Sequence, residues 1–199
     1  MSFSENPQLD CHGRKFLSLV RGLEGHFRLE SGHHGDVWFE LETLCLHSRK
    51  IRPFAAQLAA KLVRHRVEVV CGPLVEGAFI ALLVSLELAC GFVYAERYSV
   101  EYRLPKALHP AAKGKRVAIV NDVISAGSAV RGAFSDLQAM GRNIVAIGAL
   151  LALGDSIAGF ASEHHVALEL LNQMPHNLWT PSACPLCATG KPLEIMGTS

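Results

Sequence analysis

The sequence predicts an α/β fold, a mainly parallel doubly wound sheet flanked by helices, and three observations carry that reading. Short apolar runs such as Val117 to Val120 have the length and composition of strands buried on both faces. From Val67 onward these runs alternate with segments whose apolar residues recur at helical spacing, the pattern of parallel strands joined by crossover helices. One strand-to-helix junction, Asn121 to Ser128, sets small residues behind an Asn-Asp pair, and open α/β sheets place their ligands at such carboxyl ends of strands.

Each element follows in chain order. Phe16, Leu19, Val20, Leu23 and Phe27 are spaced for an amphipathic helix over about residues 14–26. Leu29 to Leu41 combines a Gly-rich turn with alternation, which predicts a short antiparallel piece outside the main sheet. Residues 52–65 read as a helix introduced by Pro53. Val67 to Cys71 is a strand, residues 72–77 a loop, Ala78 to Cys90 a buried helix ending near Gly91, and Phe92 to Ala95 a strand again. Glu96 to Lys115 breaks the apolar pattern with charges and prolines and is expected to be a long exposed loop. The strand Val117 to Val120 then feeds the small-residue turn and a helix carrying Val130, Phe134, Leu137 and Met140, stopped by Gly141. Ile144 to Leu153 is a strand, a short helix reaches His164, and Val166 to Leu171 is a strand. Residues 175–199, with four prolines, are expected to be an irregular tail.

At 199 residues, half of them apolar, the chain suits one domain over residues 1–199 with a substantial core and a small appendage. Nineteen Lys and Arg against 18 Asp and Glu leave no overall field that argues for nucleic acid or an anionic membrane. The N-terminus lacks a basic region followed by an apolar core, and no run approaches the roughly 18 to 20 apolar residues that span a bilayer. A cytoplasmic protein is therefore expected. Six cysteines are scattered, several inside apolar segments, which argues against a disulfide framework. Cys184-Pro-Leu-Cys187 has the spacing of half a zinc site, but no second Cys-x-x-Cys completes it, and a plain tail turn with two thiols is the favoured reading.

The chemistry concentrates at the Asn121 to Ser128 junction. Ser125, Ala126, Gly127 and Ser128 let backbone N–H groups close on a phosphate at a helix N-terminus. Asn121 and Asp122 stand where a vicinal diol or its metal ion would be held. Neither Gly-x-Gly-x-x-Gly nor a Walker sequence is present, which disfavours other nucleotide-binding α/β proteins.

This string resembles the phosphoribosyl diphosphate (PRPP) signature of type I phosphoribosyltransferases, and other segments are similar, in order and spacing, to orotate phosphoribosyltransferases. Leu29-Glu-Ser-Gly-His-His-Gly-Asp-Val-Trp-Phe39 looks like their hood, Cys71-Gly-Pro-Leu-Val-Glu-Gly-Ala78 like their pyrophosphate loop, Tyr94-Ala-Glu-Arg97 like the opening of their catalytic loop, and Cys184 to Leu193 like a tail of some prokaryotic members. The resemblance implies the type I phosphoribosyltransferase fold with an N-terminal hood to which residues of about 14–45 contribute. It also implies transfer of 5-phosphoribosyl from PRPP to a nitrogen base, orotate or a related one, with release of pyrophosphate, Mg²⁺ carried on PRPP, and a homodimer. By the same resemblance Ser125 to Ser128 hold the 5-phosphate, Asn121 and Asp122 the ribose hydroxyls, and Gly72, Pro73, Leu74, Val75, Glu76 and Gly77 the pyrophosphate. Arg97, Arg103 and Lys106 are loop cations for the diphosphate, with Asp122, Lys106 and Arg97 the catalytic candidates; loop charges of this kind also commonly do no more than solvate. Trp38 and Phe39 are candidates to cover the base, or else divide between core and surface.

Four positions depart from the family pattern: Asn121 for the first acid of the PRPP motif, Glu30 where Lys is usual, Glu76 in the pyrophosphate loop, and Gly154-Asp155 where Asp-Arg faces the base. Glu30 and Asp155 beside the base would favour a neutral or donor-rich heterocycle over anionic orotate, with Arg28 a candidate to compensate Glu30. The alternatives are a PRPP-binding regulatory protein with little catalysis, or an enzyme for a base other than orotate.

Overall fold

The computed structural model describes residues 11–99 and 101–196; the N-terminal segment considered above as a leader lies outside them. The elements run α1 (Cys11–Leu17), β1 (Arg21–Arg28), β2 (His34–Glu40), α2 (Ser48–Leu62), β3 (Val69–Pro73), α3 (Glu76–Leu88), β4 (Gly91–Tyr98), β5 (Glu101–Arg103), β6 (Arg116–Ile124), α4 (Ser128–Ala139), β7 (Asn143–Leu153), α5 (Ser156–Glu163), β8 (Ala167–Met174), β9 (Leu178–Trp179), α6 (Pro185–Ala188) and β10 (Glu194–Ile195). Among the described residues a six-stranded sheet has the order β5-β4-β3-β6-β7-β8. All its pairs are parallel except β4 with β5, as the alternation of strands and helices requires.

Both sheet faces are covered. Leu58 and Leu62 of α2 with Ile80 and Val84 of α3 pack on one side, and Val130, Phe134 and Leu137 of α4 with Ile157 of α5 on the other. Burying each such large aliphatic or aromatic side chain stabilises the fold by roughly 1.5–3 kcal/mol before entropy is counted.

Several expectations are corrected. The helix expected over residues 14–26 ends at Leu17 and Arg21–Arg28 is a strand; Gly22 and Gly25 would each cost a helix about 1 kcal/mol, whereas pairing with β2 satisfies the same backbone. Helix α2 starts at Ser48 with Pro53 inside it, because the extra turn carries fully buried Ile51 into the core. The expected exposed loop 96–115 instead holds the ends of a β4–β5 pair and a 3-10 helix over Lys106–Ala112. Tyr102, Leu104 and Ala112 are buried there, and the Leu104 N–H donates to Asp136 of α4 at 2.8 Å.

The tail is not irregular. β9 pairs antiparallel with β2 and β10 pairs parallel with β1, making a second sheet of order β10-β1-β2-β9. This is the hood, with the tail wrapped around it.

Candidate active site

The order of the main sheet reverses between β3 and β6: the chain leaves β3 outward to β4, and from β6 the other way to β7 and β8. Such a switch point opens a crevice at the carboxyl ends of the two central strands. A cleft of about 290 Å³ lies there, lined by residues 73–77 after β3, residues 121–130 around the end of β6, Leu153 of β7, Tyr102 of β5, and Glu30, Ser31, Trp38 and Phe39 of the hood. The expected pyrophosphate loop, ribose residues, phosphate turn and hood thus meet in one cavity, although they are far apart in sequence.

β6 runs to Ile124 rather than stopping at Val120, so Asn121 and Asp122 lie within the strand. Asp122 is 3% exposed and its Oδ2 has no hydrogen-bond partner. Burial pushes its carboxyl up to about 7; backbone N–H donors of Val123 and Asp122 itself oppose the shift, and the Glu76 carboxylate adds to it. Asp122 lines the cleft, and a buried, partnerless carboxylate oxygen is costly unless a ligand supplies its partner. The Ser125 hydroxyl is likewise buried and without a partner. Gly127 caps α4 with φ +81°, a backbone conformation that favours glycine, and so delivers the turn to the helix N-terminus.

Asn121 lines the cleft and also ties into its own structure. Its Nδ2 donates to the Val123 carbonyl at 2.9 Å, and a Cβ at Gly77 would lie 1.9 Å from its Oδ1. Gly77 is therefore required for α3 to approach β6 so closely. Gly72 is lined up for the same reason: a Cβ there would lie 2.5 Å from the Ala78 Cα. It packs helix on strand and does not line the cleft. The Leu74–Val75 peptide is cis.

On the hood side of the cleft, Glu30 accepts from the Tyr102 hydroxyl at 2.9 Å and pairs with Arg97 at 3.2 Å. The Glu30 charge is thus compensated, by Arg97 rather than by the Arg28 considered above. Burial, and then Glu30, push the Tyr102 hydroxyl well above the usual phenol range, so it remains a donor. Trp38 and Phe39 divide: Phe39 is buried in the core, while Trp38 is half-buried against Phe27 with ring centroids 6.3 Å apart. Both border the cleft.

Three further expected site residues stand elsewhere. Asp155 is exposed and accepts from Gln173 at 2.8 Å, away from the cleft lining, because β7 ends one residue before Gly154 turns the chain out. Arg103, on β5, is paired with Glu101. Lys106 is exposed at the start of the 3-10 helix. Arg97 borders an adjoining recess that shares Glu30, Ser31, Ala126 and Ser128 with the cleft.

One important residue escapes sequence reasoning. Arg131 of α4 donates to the Ala126 carbonyl at 3.3 Å and to the Ser156 carbonyl and hydroxyl at 2.9 and 3.0 Å, with its guanidinium 4.5 Å from the Phe160 ring centroid. It holds the turn after β6 to α5 and brings a cation to the edge of that turn. Its position one turn into α4 is the only sequence signal it leaves.

No family model matches the chain. Curated relatives do: the orotate phosphoribosyltransferase of Caldanaerobacter subterraneus is 27% identical over 188 residues, covering 92% of this chain and 96% of the relative. That of Thermotoga maritima is 28% identical over 176 residues, covering 88% and 91%. Among solved structures, Mycobacterium tuberculosis orotate phosphoribosyltransferase in complex with inorganic phosphate superposes with a TM-score of 0.63 at 15% identity, over 81% of this chain and 95% of that one. The adenine phosphoribosyltransferase of Trypanosoma brucei, in complex with AMP, pyrophosphate and ribose-5-phosphate, gives 0.64 at 15% identity over 82% and 79%. The chain is thus a type I phosphoribosyltransferase in fold and a divergent relative of the orotate phosphoribosyltransferases in sequence.

Proposed function

We propose that this protein transfers the 5-phosphoribosyl group of PRPP to a ring nitrogen of a base, orotate by kinship, as the ribosyl C1–oxygen bond breaks and pyrophosphate leaves. The observation that carries the reading is the pair of buried, partnerless oxygens, Asp122 Oδ2 and Ser125 Oγ, on two residues that line one cleft at the switch point of the sheet. Ser125 to Ser128 receive the 5-phosphate on backbone and hydroxyl donors, with Arg131 steadying the turn. Asp122 accepts from the ribose hydroxyls and, once ionised, stabilises the positive charge that develops at the sugar. Asn121 borders the ribose from the cleft lining, with its Nδ2 engaged by the Val123 carbonyl. Residues 73–77 border the pyrophosphate, and the hood, through Trp38, Ser31 and the Glu30–Arg97–Tyr102 group, encloses the base and excludes water.

Mg²⁺ bound with PRPP would neutralise the leaving diphosphate, and the carboxylates of Asp122 and Glu76 suit such a hard cation. A cytoplasmic homodimer fits the reading: α3 turns Phe79, Leu82 and Leu86 outward, one apolar face at helical spacing. No described helix is long and apolar enough to cross a membrane.

The test is release of pyrophosphate from PRPP and Mg²⁺ with orotate and a panel of neutral bases. Base-dependent release supports transfer. A second reading, a PRPP-binding protein with little chemistry, is favoured by the engagement of Arg97 with Glu30 and of Arg103 with Glu101. Calorimetric PRPP binding with no release for any base would establish it instead.

A further inference from the structure

Outside the cleft, four side chains converge where the tail crosses the hood. His26 Nε2, His34 Nδ1, Cys184 Sγ and Cys187 Sγ all lie within 4.8 Å of one another. Three of the residues are buried and Cys187 stands at the rim. We propose that these four side chains form a closed, tetrahedral site for one structural Zn²⁺ that fastens the C-terminal tail to the hood.

The distances support a metal over a hydrogen-bonded cluster. His26 Nε2 lies 3.1 Å from His34 Nδ1, 3.4 Å from Cys184 Sγ and 3.7 Å from Cys187 Sγ, and Cys187 Sγ is 3.3 Å from His34 Nδ1. A tetrahedron with Zn–N near 2.05 Å and Zn–S near 2.3 Å has edges of about 3.3 to 3.8 Å, and the separations fall close to that range. His26 Nδ1 is 2.8 Å from the Lys191 carbonyl, an acceptor only, so Nδ1 carries the ring proton and Nε2 presents its lone pair to the cluster. One lone pair cannot serve three neighbours as separate hydrogen bonds, but a single cation between them satisfies all four atoms. The Lys191 contact is also the outer partner that metal-bound histidines usually have.

Two thiolates and two neutral imidazoles select a borderline-soft, tetrahedral ion, and a full set of four protein ligands leaves no open position for chemistry. Binding displaces the two thiol protons, so the ligands and ion together are neutral.

Local structure aims the ligands. The β1–β2 register passes from Glu24↔Val37 to Phe27↔Gly35, so Gly25 and His26 oppose Asp36 alone. This bulge re-aims His26 toward the tail while Phe27 stays in the core. His34 follows directly on the hood turn, and Cys184 and Cys187 flank the first turn of α6. The two histidines bracket residues 27–33, which include Glu30 and Ser31 of the cleft. His176, the nearest histidine to the two cysteines in sequence, is not part of the cluster and faces Asp36 at 3.7 Å.

The test uses the tag-free, full-length, reduced chain, with metal measured by mass spectrometry after reconstitution with excess Zn²⁺ and desalting. One zinc per chain is expected, absent from C184S/C187S and retained in C90S. Because the double variant can misfold, a second measurement uses the parent chain: Co²⁺ in place of zinc should give the visible bands and thiolate charge-transfer absorption of a tetrahedral S₂N₂ site, and chelation should lower Tm by several degrees. Zinc well below one per chain in the parent, or full zinc in C184S/C187S, overturns the proposal.

Discussion

In the proposed function Asp122 sets the balance between folding and binding at the scale of one residue. Its folded pKa of about 7 lies above the unfolded value near 3.9, so the folded state holds its proton more tightly. The stability this proton confers is complete below about pH 4 and is lost as pH rises through 7. Asp122→Asn removes that loss, and the variant without ligand is expected to melt higher than the parent at pH 8, by up to about 4 kcal/mol of stability, with the gap closing toward pH 4. Calorimetric melts across that window check it; parallel curves would refute the shift. The same variant should lose about 10²–10³ in kcat/KM. In the parent, PRPP affinity should weaken about tenfold per pH unit below 7, because binding selects the carboxylate. At the base end, Glu30→Gln leaves Arg97 uncompensated, so KM for an anionic base such as orotate is expected to fall several-fold relative to a neutral base. An unchanged ratio in a competition assay would show that this pair does not read the base's charge.

The contact between α3 and β6 shows how an element places the site. Gly77→Ala drives a methyl into Asn121 Oδ1, and the overpacking should cost about 1–3 kcal/mol. The double variant G77A/N121A should recover much of this, although N121A alone gives up the Val123 hydrogen bond, worth about 1 kcal/mol. Simple additivity in urea melts would disprove the proposed clash. This contact was invisible in sequence, where Gly77 and Asn121 were read separately as ligand-facing residues. The sheet and the small-residue turn after β6 were legible because periodicity and turn chemistry are local. The Glu30–Arg97–Tyr102 group was not, since its members join only when the hood closes over β5. Nor were β9 and β10: two-residue strands have no period, and what stabilises them is the partner strand. The loop expected over residues 96–115 misled for the reverse reason, as Tyr102 and Leu104 bury within a polar stretch.

For the whole molecule, the outward face of α3 is the main question of assembly. Phe79, Leu82 and Leu86 are 46%, 41% and 67% exposed, and the proposed dimer would cover them. Phe79→Asp should convert a dimer to a monomer in sedimentation while leaving Tm within a few degrees; a parent chain that sediments as a monomer would remove the dimer from the reading. The wrapped tail has a different consequence. A two-stranded hairpin offers two open rows of backbone N–H and C=O groups, each a template for another chain. Here β10 occupies part of one row and β9 part of the other, so the tail acts as a built-in guard against self-association. A chain ended after Asn177 should therefore form soluble aggregates detectable by light scattering, because both rows become open to its neighbours.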